Sequence, residues 1–148
     1  MKILMVCLGN ICRSPLAQGI LEEKIRINDL DWEVDSCGTG SWHIGHPPDK
    51  RSVKVAKDNG LDISNQRARQ LSSTDFEKFD LILAMDAQNY QDIKTKGGSI
   101  ADDKVKLILN YLFPGENRGV PDPYFDGGFD QVYHLLDKVS DKIIDSFR

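Results

Sequence analysis

One stretch restricts the fold more than any other: Met5-Val6-Cys7-Leu8-Gly9-Asn10-Ile11-Cys12-Arg13-Ser14-Pro15. The apolar run Ile3-Leu4-Met5-Val6 that leads into it reads as a buried strand. Ser14-Pro15 reads as the start of a helix, with Ser at the N-cap and Pro at the first helical position. A short loop lies between, with a cysteine at one end and an arginine at the other, in the spacing Cys-x5-Arg-Ser. Such a strand-loop-helix turn aims a fan of backbone N–H groups at one point, and the helix dipole favours negative charge there. The cradle made by Leu8, Gly9, Asn10, Ile11, Cys12, Arg13 and Ser14 suits a tetrahedral oxyanion such as inorganic phosphate or vanadate. It also favours the thiolate form of a cysteine beside it. Arg13 adds a planar fork that holds two oxygens at once, which a lysine does not. Ser14 can cap the helix, donate to the thiolate, or do both. A nucleotide-type phosphate loop is excluded, because Gly9-Asn10-Ile11-Cys12-Arg13-Ser14 lacks its second glycine and its lysine.

The 148 residues suit one domain, residues 1–148. A net charge of −4 with no basic stripe argues against a nucleic-acid partner, so any anion site is made locally. Three cysteines, Cys7, Cys12 and Cys37, form no secreted disulfide framework and no zinc spacing. His43, His46 and His134 show no metal spacing either and read as structural or exposed; no metal or cofactor is expected. No apolar run is long enough for a membrane span, and no cleavage-site pattern marks a signal peptide. A cytoplasmic location is the expectation.

Pro15 to about Ile27 reads as a helix carrying Leu16, Ala17, Ile20, Leu21 and Lys24 on one stripe. Trp32–Ser36 alternates as a short strand, and residues 37–41 form a loop. Asp49 to Asn59 reads as a second helix stopped by Gly60, and residues 62–71 as irregular. Ser72–Lys78 is a short helix capped by Ser72 or Ser73, Phe79–Met85 a central strand, and Asp86 the cap of a helix reaching Lys96. Val105–Leu109 is a fourth strand, residues 110–128 a long loop, and Phe129–Phe147 an amphipathic helix. The alternation predicts an α/β fold: three layers, with a four-stranded parallel sheet and helices on both faces. Ligands of such sheets sit beyond the C-terminal ends of strands, where Cys7 lies.

A thiolate that attacks phosphorus needs a partner to protonate the leaving oxygen. Asp122 is the best candidate: Pro121 and Pro123 hold it in an extended, non-helical loop. Asp126 and Asp130 read better as a cap and a first-turn residue. Trp42 and Tyr124 are loop aromatics, although Trp42 can equally pack on Pro47 or Pro48. Cys12 is either a small buried residue or a partner for oxidised Cys7. Cys37 has no assignable role.

These residues resemble the low-molecular-weight protein tyrosine phosphatases. The likeness covers the whole chain and is carried by Val6–Pro15, Asp35-Ser36 before the Gly-Thr-Gly loop, Gly45-x-Pro47-Pro48-Asp49, Ala68-Arg69-Gln70, Met85-Asp86 and Asp122-Pro123-Tyr124. It implies Cys7 as nucleophile, Arg13 as phosphate clamp and Asp122 as general acid and then base, acting through a phosphocysteine intermediate with no metal. It implies that Trp42 and Tyr124 flank a phenyl ring above Leu8, so that phosphotyrosine proteins are the substrates, and it favours a protective Cys7–Cys12 disulfide. It further implies that Asn10 and Ser36 belong to a hydrogen-bond network shaping the loop, with Gln66 standing where the family usually has a histidine. A thiol-dependent arsenate reductase shares Cys-x5-Arg but needs two further cysteines downstream, and none follows Cys37. A redox-regulated phosphate-binding module would keep the anion loop but need not keep both Cys7 and Asp122, and both are present.

Overall fold

The computed structural model describes residues 1–148. Four parallel strands lie in the order β2-β1-β3-β4: β1 Lys2–Cys7, β2 Glu33–Gly38, β3 Leu81–Ala84 and β4 Val105–Leu107. The helices are α1 Arg13–Ile27, α2 Lys50–Asp58, α3 Asp75–Lys78, α4 Ala87–Gly97, α5 Pro123–Asp126 and α6 Phe129–Phe147. No helix is long and apolar enough to cross a membrane.

Strand β1 explains the three layers. It is buried on both faces from Ile3 to Cys7, and alternate residues leave it in opposite directions. Ile3, Met5 and Cys7 join Leu16, Ile20 and Leu21 of α1, Val55 of α2, and Val132, Leu136 and Ile143 of α6 in one cluster. Leu4 and Val6 join Phe76 of α3, Phe79, Ile93 of α4 and Val105 of β4 in another. Helices α1, α2 and α6 therefore cover one face, and α3 and α4 the other, as the alternation of elements predicts.

The chain leaves β1 for β2 on one side and returns to β3 on the other. Beyond the strand ends at this reversal the connections converge. Cys7 lies opposite Gly38 in the register, the Cys7 carbonyl accepts from Thr39 N at 2.9 Å, and Val120 N donates to the Met85 carbonyl at 2.7 Å. Gly38 meets the anion loop edge-on: a Cβ there would come within 2.6 Å of the Leu8 carbonyl oxygen.

Several boundaries depart from the sequence reading: β2 runs on to Gly38, and α3 begins only at Asp75, behind Thr74, with neither Ser72 nor Ser73 as its cap. Helix α1 begins at Arg13, so Pro15 is its third residue and Ser14 is not its cap; Cys12 takes that place without a side-chain bond. A proline fits there because the first N–H groups of a helix have no partner inside it. The segment 110–128 is not all loop: a 3-10 turn at Ile108–Tyr111 shortens β4, and Pro123 opens the one-turn α5. The third strand is trimmed to Leu81–Ala84, and its upstream Asp80 instead pairs with Lys2, whose backbone N donates to Oδ2 at 2.8 Å.

Candidate active site

The loop from Cys7 to Arg13 closes around the cysteine sulfur. Asn10 N donates to Cys7 Sγ at 3.3 Å, and Ser14 Oγ lies 3.0 Å from it. Asn10 holds the bend with φ at +57°, a left-handed conformation that Asn tolerates better than most residues. A glycine would bend as easily but could not make the bonds that follow. Asn10 Nδ2 donates to Ser14 Oγ at 2.8 Å and to Ser36 Oγ at 3.0 Å, while its Oδ1 accepts from Arg69 N at 3.0 Å. Arg69 is itself anchored through its guanidinium to Asp35 and Asp75. The loop shape is thus set from β2 and from the segment ahead of α3.

Arg13 is 3% exposed. Its Nη1 donates to Asp86 Oδ2 at 2.7 Å and to the Val120 carbonyl at 2.9 Å, using both hydrogens of that nitrogen. Nε and Nη2 remain free to face an anion in the loop. Asp86 serves twice: its other oxygen accepts from Asn89 N at 2.8 Å and caps α4.

Asp122 reaches the same place from the far end of the chain. Its backbone is extended, as the flanking prolines require, but it also caps α5, with Oδ1 accepting from Tyr124 N at 3.1 Å. Oδ2 stands 3.7 Å from Arg13 Nη2. Cys7, Leu8, Gly9, Ile11, Cys12, Arg13, Trp42, Asp122 and Tyr124 line one cleft, together with His43 and Phe125. Leu8, Trp42, Tyr124 and Phe125 are exposed at its rim. The Trp42 ring packs over Gly40, where a Cβ would come within 2.1 Å of it. Arg51, gripped by Asp49, lies over the rings of Tyr124 at 5.5 Å and Phe129 at 4.6 Å and steadies that wall. Such a cleft can seat a tetrahedral oxyanion at its base and a flat ring between its walls.

All three cysteines are free and buried. Burial first, and then the nearby Asp49 carboxylate, pushes the Cys12 thiol up to about 12. Burial raises the Cys37 thiol well above its ordinary value, which suits a packing role.

The structure gathers Cys7, Arg13, Asp122, Asn10, Ser14, Ser36, Trp42 and Tyr124 around the cleft or its supporting network. It does not bring Gln66 into the network: Gln66 Nε2 donates to the Pro15 carbonyl at 3.1 Å, and its Oε1 is buried without a partner. A carboxamide reaching back to α1 meets that carbonyl before it meets Asn10. His43, read as structural or exposed, is instead part of the cleft wall, its Cδ2 standing 3.0 Å from where a Gly9 Cβ would be. Sequence reasoning missed Asp86 and the Val120 carbonyl as anchors of Arg13, Phe125 at the rim, and Arg51 behind Tyr124. For Asp86 a signal exists, a carboxylate directly after a central strand, but the sequence marks it as a helix cap and as part of the family likeness, not as the partner of Arg13.

Known proteins match the chain over almost its full length. The family model for low molecular weight phosphotyrosine protein phosphatase matches residues 2–148. The low molecular weight phosphotyrosine protein phosphatase of Schizosaccharomyces pombe is 40% identical over 150 residues, covering 98% of this chain and 96% of that protein. The crystal structure of YfkJ from Bacillus subtilis matches with a TM-score of 0.93 and 35% identity, covering 99% of this chain and 93% of that one. Vibrio vulnificus Wzb in complex with benzylphosphonate matches with a TM-score of 0.89 and 29% identity, covering 99% and 98%. The chain belongs to the low molecular weight phosphotyrosine protein phosphatase family and is an enzyme of that hydrolase class.

Proposed function

We propose that the protein, acting as a single domain over residues 1–148, hydrolyses phosphotyrosine in proteins through a phosphocysteine intermediate. The observation that carries this reading is the meeting of a thiol, an anion loop, a fixed guanidinium and a carboxyl in one cleft, from positions far apart in the chain. The phosphoryl group enters the loop, with its oxygens on the loop amides and the free N–H groups of Arg13. The Cys7 thiolate attacks phosphorus in line, and Asp122 gives its proton to the leaving phenolate. Phosphocysteine remains; Asp122, now a base, takes a proton from water as that water attacks phosphorus, and phosphate and the thiolate are released. Leu8, Trp42, Tyr124 and Phe125 give an apolar slot that suits an aryl ester better than an alkyl one. The ring of Wzb's benzylphosphonate is in keeping with such a slot.

Oxidation fits the same site. Peroxide converts the Cys7 thiolate to a sulfenic acid, the Cys12 thiol condenses with it and expels water, and a dithiol reduces the resulting disulfide. A reactive thiol of this kind suits a cytoplasmic location, where reductants regenerate it.

The test is turnover of an aryl phosphate with no added metal. Wild type should hydrolyse it and be blocked by vanadate, while Cys7→Ser should be inactive. Full turnover in Cys7→Ser would sink the mechanism.

A further inference from the structure

Gln18 in α1 lies outside the cleft, yet it ends a continuous hydrogen-bonded chain that reaches the candidate nucleophile. Ser36 Oγ donates to Gln18 Oε1 at 2.6 Å, and Gln18 Nε2 donates to Glu22 Oε1 at 2.6 Å. From Ser36 the chain continues through Asn10 and Ser14 to Cys7 Sγ.

The polarity of this chain is fixed at two points by groups that have only one option. A carboxylate only accepts, so Glu22 turns the NH₂ of Gln18 toward itself and the carbonyl oxygen toward Ser36. The Ser36 proton is then committed to Gln18, and the Ser36 oxygen must accept from Asn10. At Asn10, midway along, a backbone N–H only donates, so Arg69 N holds the Asn10 carbonyl. Both hydrogens of the Asn10 amide are thereby directed to Ser36 and Ser14. Because the Ser14 oxygen is an acceptor in this arrangement, its own proton remains for the sulfur. The competing acceptor, the Cys37 carbonyl, is farther away, at 3.5 Å against 3.0 Å.

We infer that Gln18 is a positioning residue for Cys7: held by Glu22, it commits Ser36 as an acceptor for Asn10 and so, together with the Arg69 N–H, keeps the Ser36–Asn10–Ser14 chain oriented so that the Ser14 hydroxyl donates to the cysteine sulfur. The inference rests on Cys7 being the nucleophile. Gln18 fills the place in the network that the sequence assigned to Gln66. It acts from the wall of a separate polar cleft that it shares with Glu22 and Gln66.

The experiment measures the rate of inactivation by iodoacetate against pH, beside steady-state hydrolysis of an aryl phosphate. Around the sulfur, Arg13 and Cys12 from the loop and α1, Cys37 from β2, and Asp122 and His43 across the cleft stay unchanged in every Gln18 variant. Gln18→Leu should move the midpoint of the alkylation profile to higher pH and slow alkylation at pH 6 by about two- to tenfold, the worth of one hydrogen bond to a charged group's partner. Its kcat should fall by a similar factor while inhibition by inorganic phosphate changes little. The exchanged pair Gln18→Glu with Glu22→Gln keeps an acceptor for Ser36 and a donor for it to face, and should restore the wild-type midpoint. A Gln18→Leu midpoint equal to wild type overturns the inference, as does an exchanged pair that behaves like Gln18→Leu. A wild-type alkylation profile that persists in Cys7→Ser instead overturns the nucleophile assignment beneath it.

Discussion

Gly38 offers the sharpest test of how the anion loop is built. Replacing it with alanine adds one methyl group on the strand beside Cys7. That Cβ would lie 2.6 Å from the Leu8 carbonyl oxygen, and 3.1 Å from both Asn10 N and Gly9 C. All three are backbone atoms, so no side chain can swing aside. Relieving the closest contact to an ordinary C···O separation near 3.3 Å moves the loop by about 0.7 Å. A displacement of about 1 Å at reacting groups costs on the order of 100-fold, so kcat/KM for an aryl phosphate should fall roughly 10- to 100-fold. Overpacking of this kind also costs about 1–3 kcal/mol of stability, which lowers Tm by roughly 3–10 °C in a chain of this size. The assay is steady-state hydrolysis at a temperature well below both melting transitions, with melting followed by circular dichroism. Gly38→Ala with kcat/KM within twofold of wild type would refute the tight apposition of β2 and the loop.

Other expectations concern the acid, the second cysteine and a helix cap. Asp122→Ala should lose far more rate on aryl phosphates with poor leaving groups than on activated ones; equal losses would remove the general-acid role. After peroxide, wild-type activity should return with a dithiol, and Cys12→Ser should recover less. Because burial keeps the Cys12 thiol protonated near neutral pH, closure of the disulfide should speed up between pH 7 and pH 9. Equal recovery in the two proteins, measured as percent activity regained, would reject the disulfide. The Asp49 carboxyl is held below its ordinary range, first by its side-chain bonds to Arg51. A depressed acid stabilises the fold above its unfolded pKa of about 3.9 and loses that contribution as pH falls through the folded value. Asp49→Asn keeps a capping side chain on α2, so it should lower Tm at pH 7 and hardly at all at pH 2; the same loss at both would exclude the ionic origin.

What the sequence disclosed and what it hid divide along separation in the chain. Cys7, Arg13 and the strand before them were legible because apolar run, loop and helix start are local signals within a dozen residues. Ser14-Pro15 and Asp122-Pro123 carry the same cap-then-proline signature, and only the second opens a helix with it. At Ser14 the hydroxyl is claimed by Asn10 and Cys7, and the helix starts earlier, at Arg13. At Asp122 the signature holds and opens α5. Pairings across the fold left no local mark: Arg13 with Asp86 and Val120, or Ser36 with Gln18. Gln66 stays outside the network that the resemblance implies for it, its amide bonded to the Pro15 carbonyl.

Synthesis order gives the crossing of the sheet a further meaning. Cys7 is made more than a hundred residues before Asp122, and its clamp Arg13 depends on Asp86 and Val120, which also come late. At about 5–20 residues per second the thiol waits roughly 6 to 23 seconds on the ribosome for the last of these partners. Under the proposed mechanism, a nascent chain in that interval carries the nucleophile and its loop but lacks Asp122, the proton donor, and Val120, one of the two anchors of Arg13. On that reading the enzyme is silent while it is being made, and its chemistry begins only when the last strand and the segment after it dock.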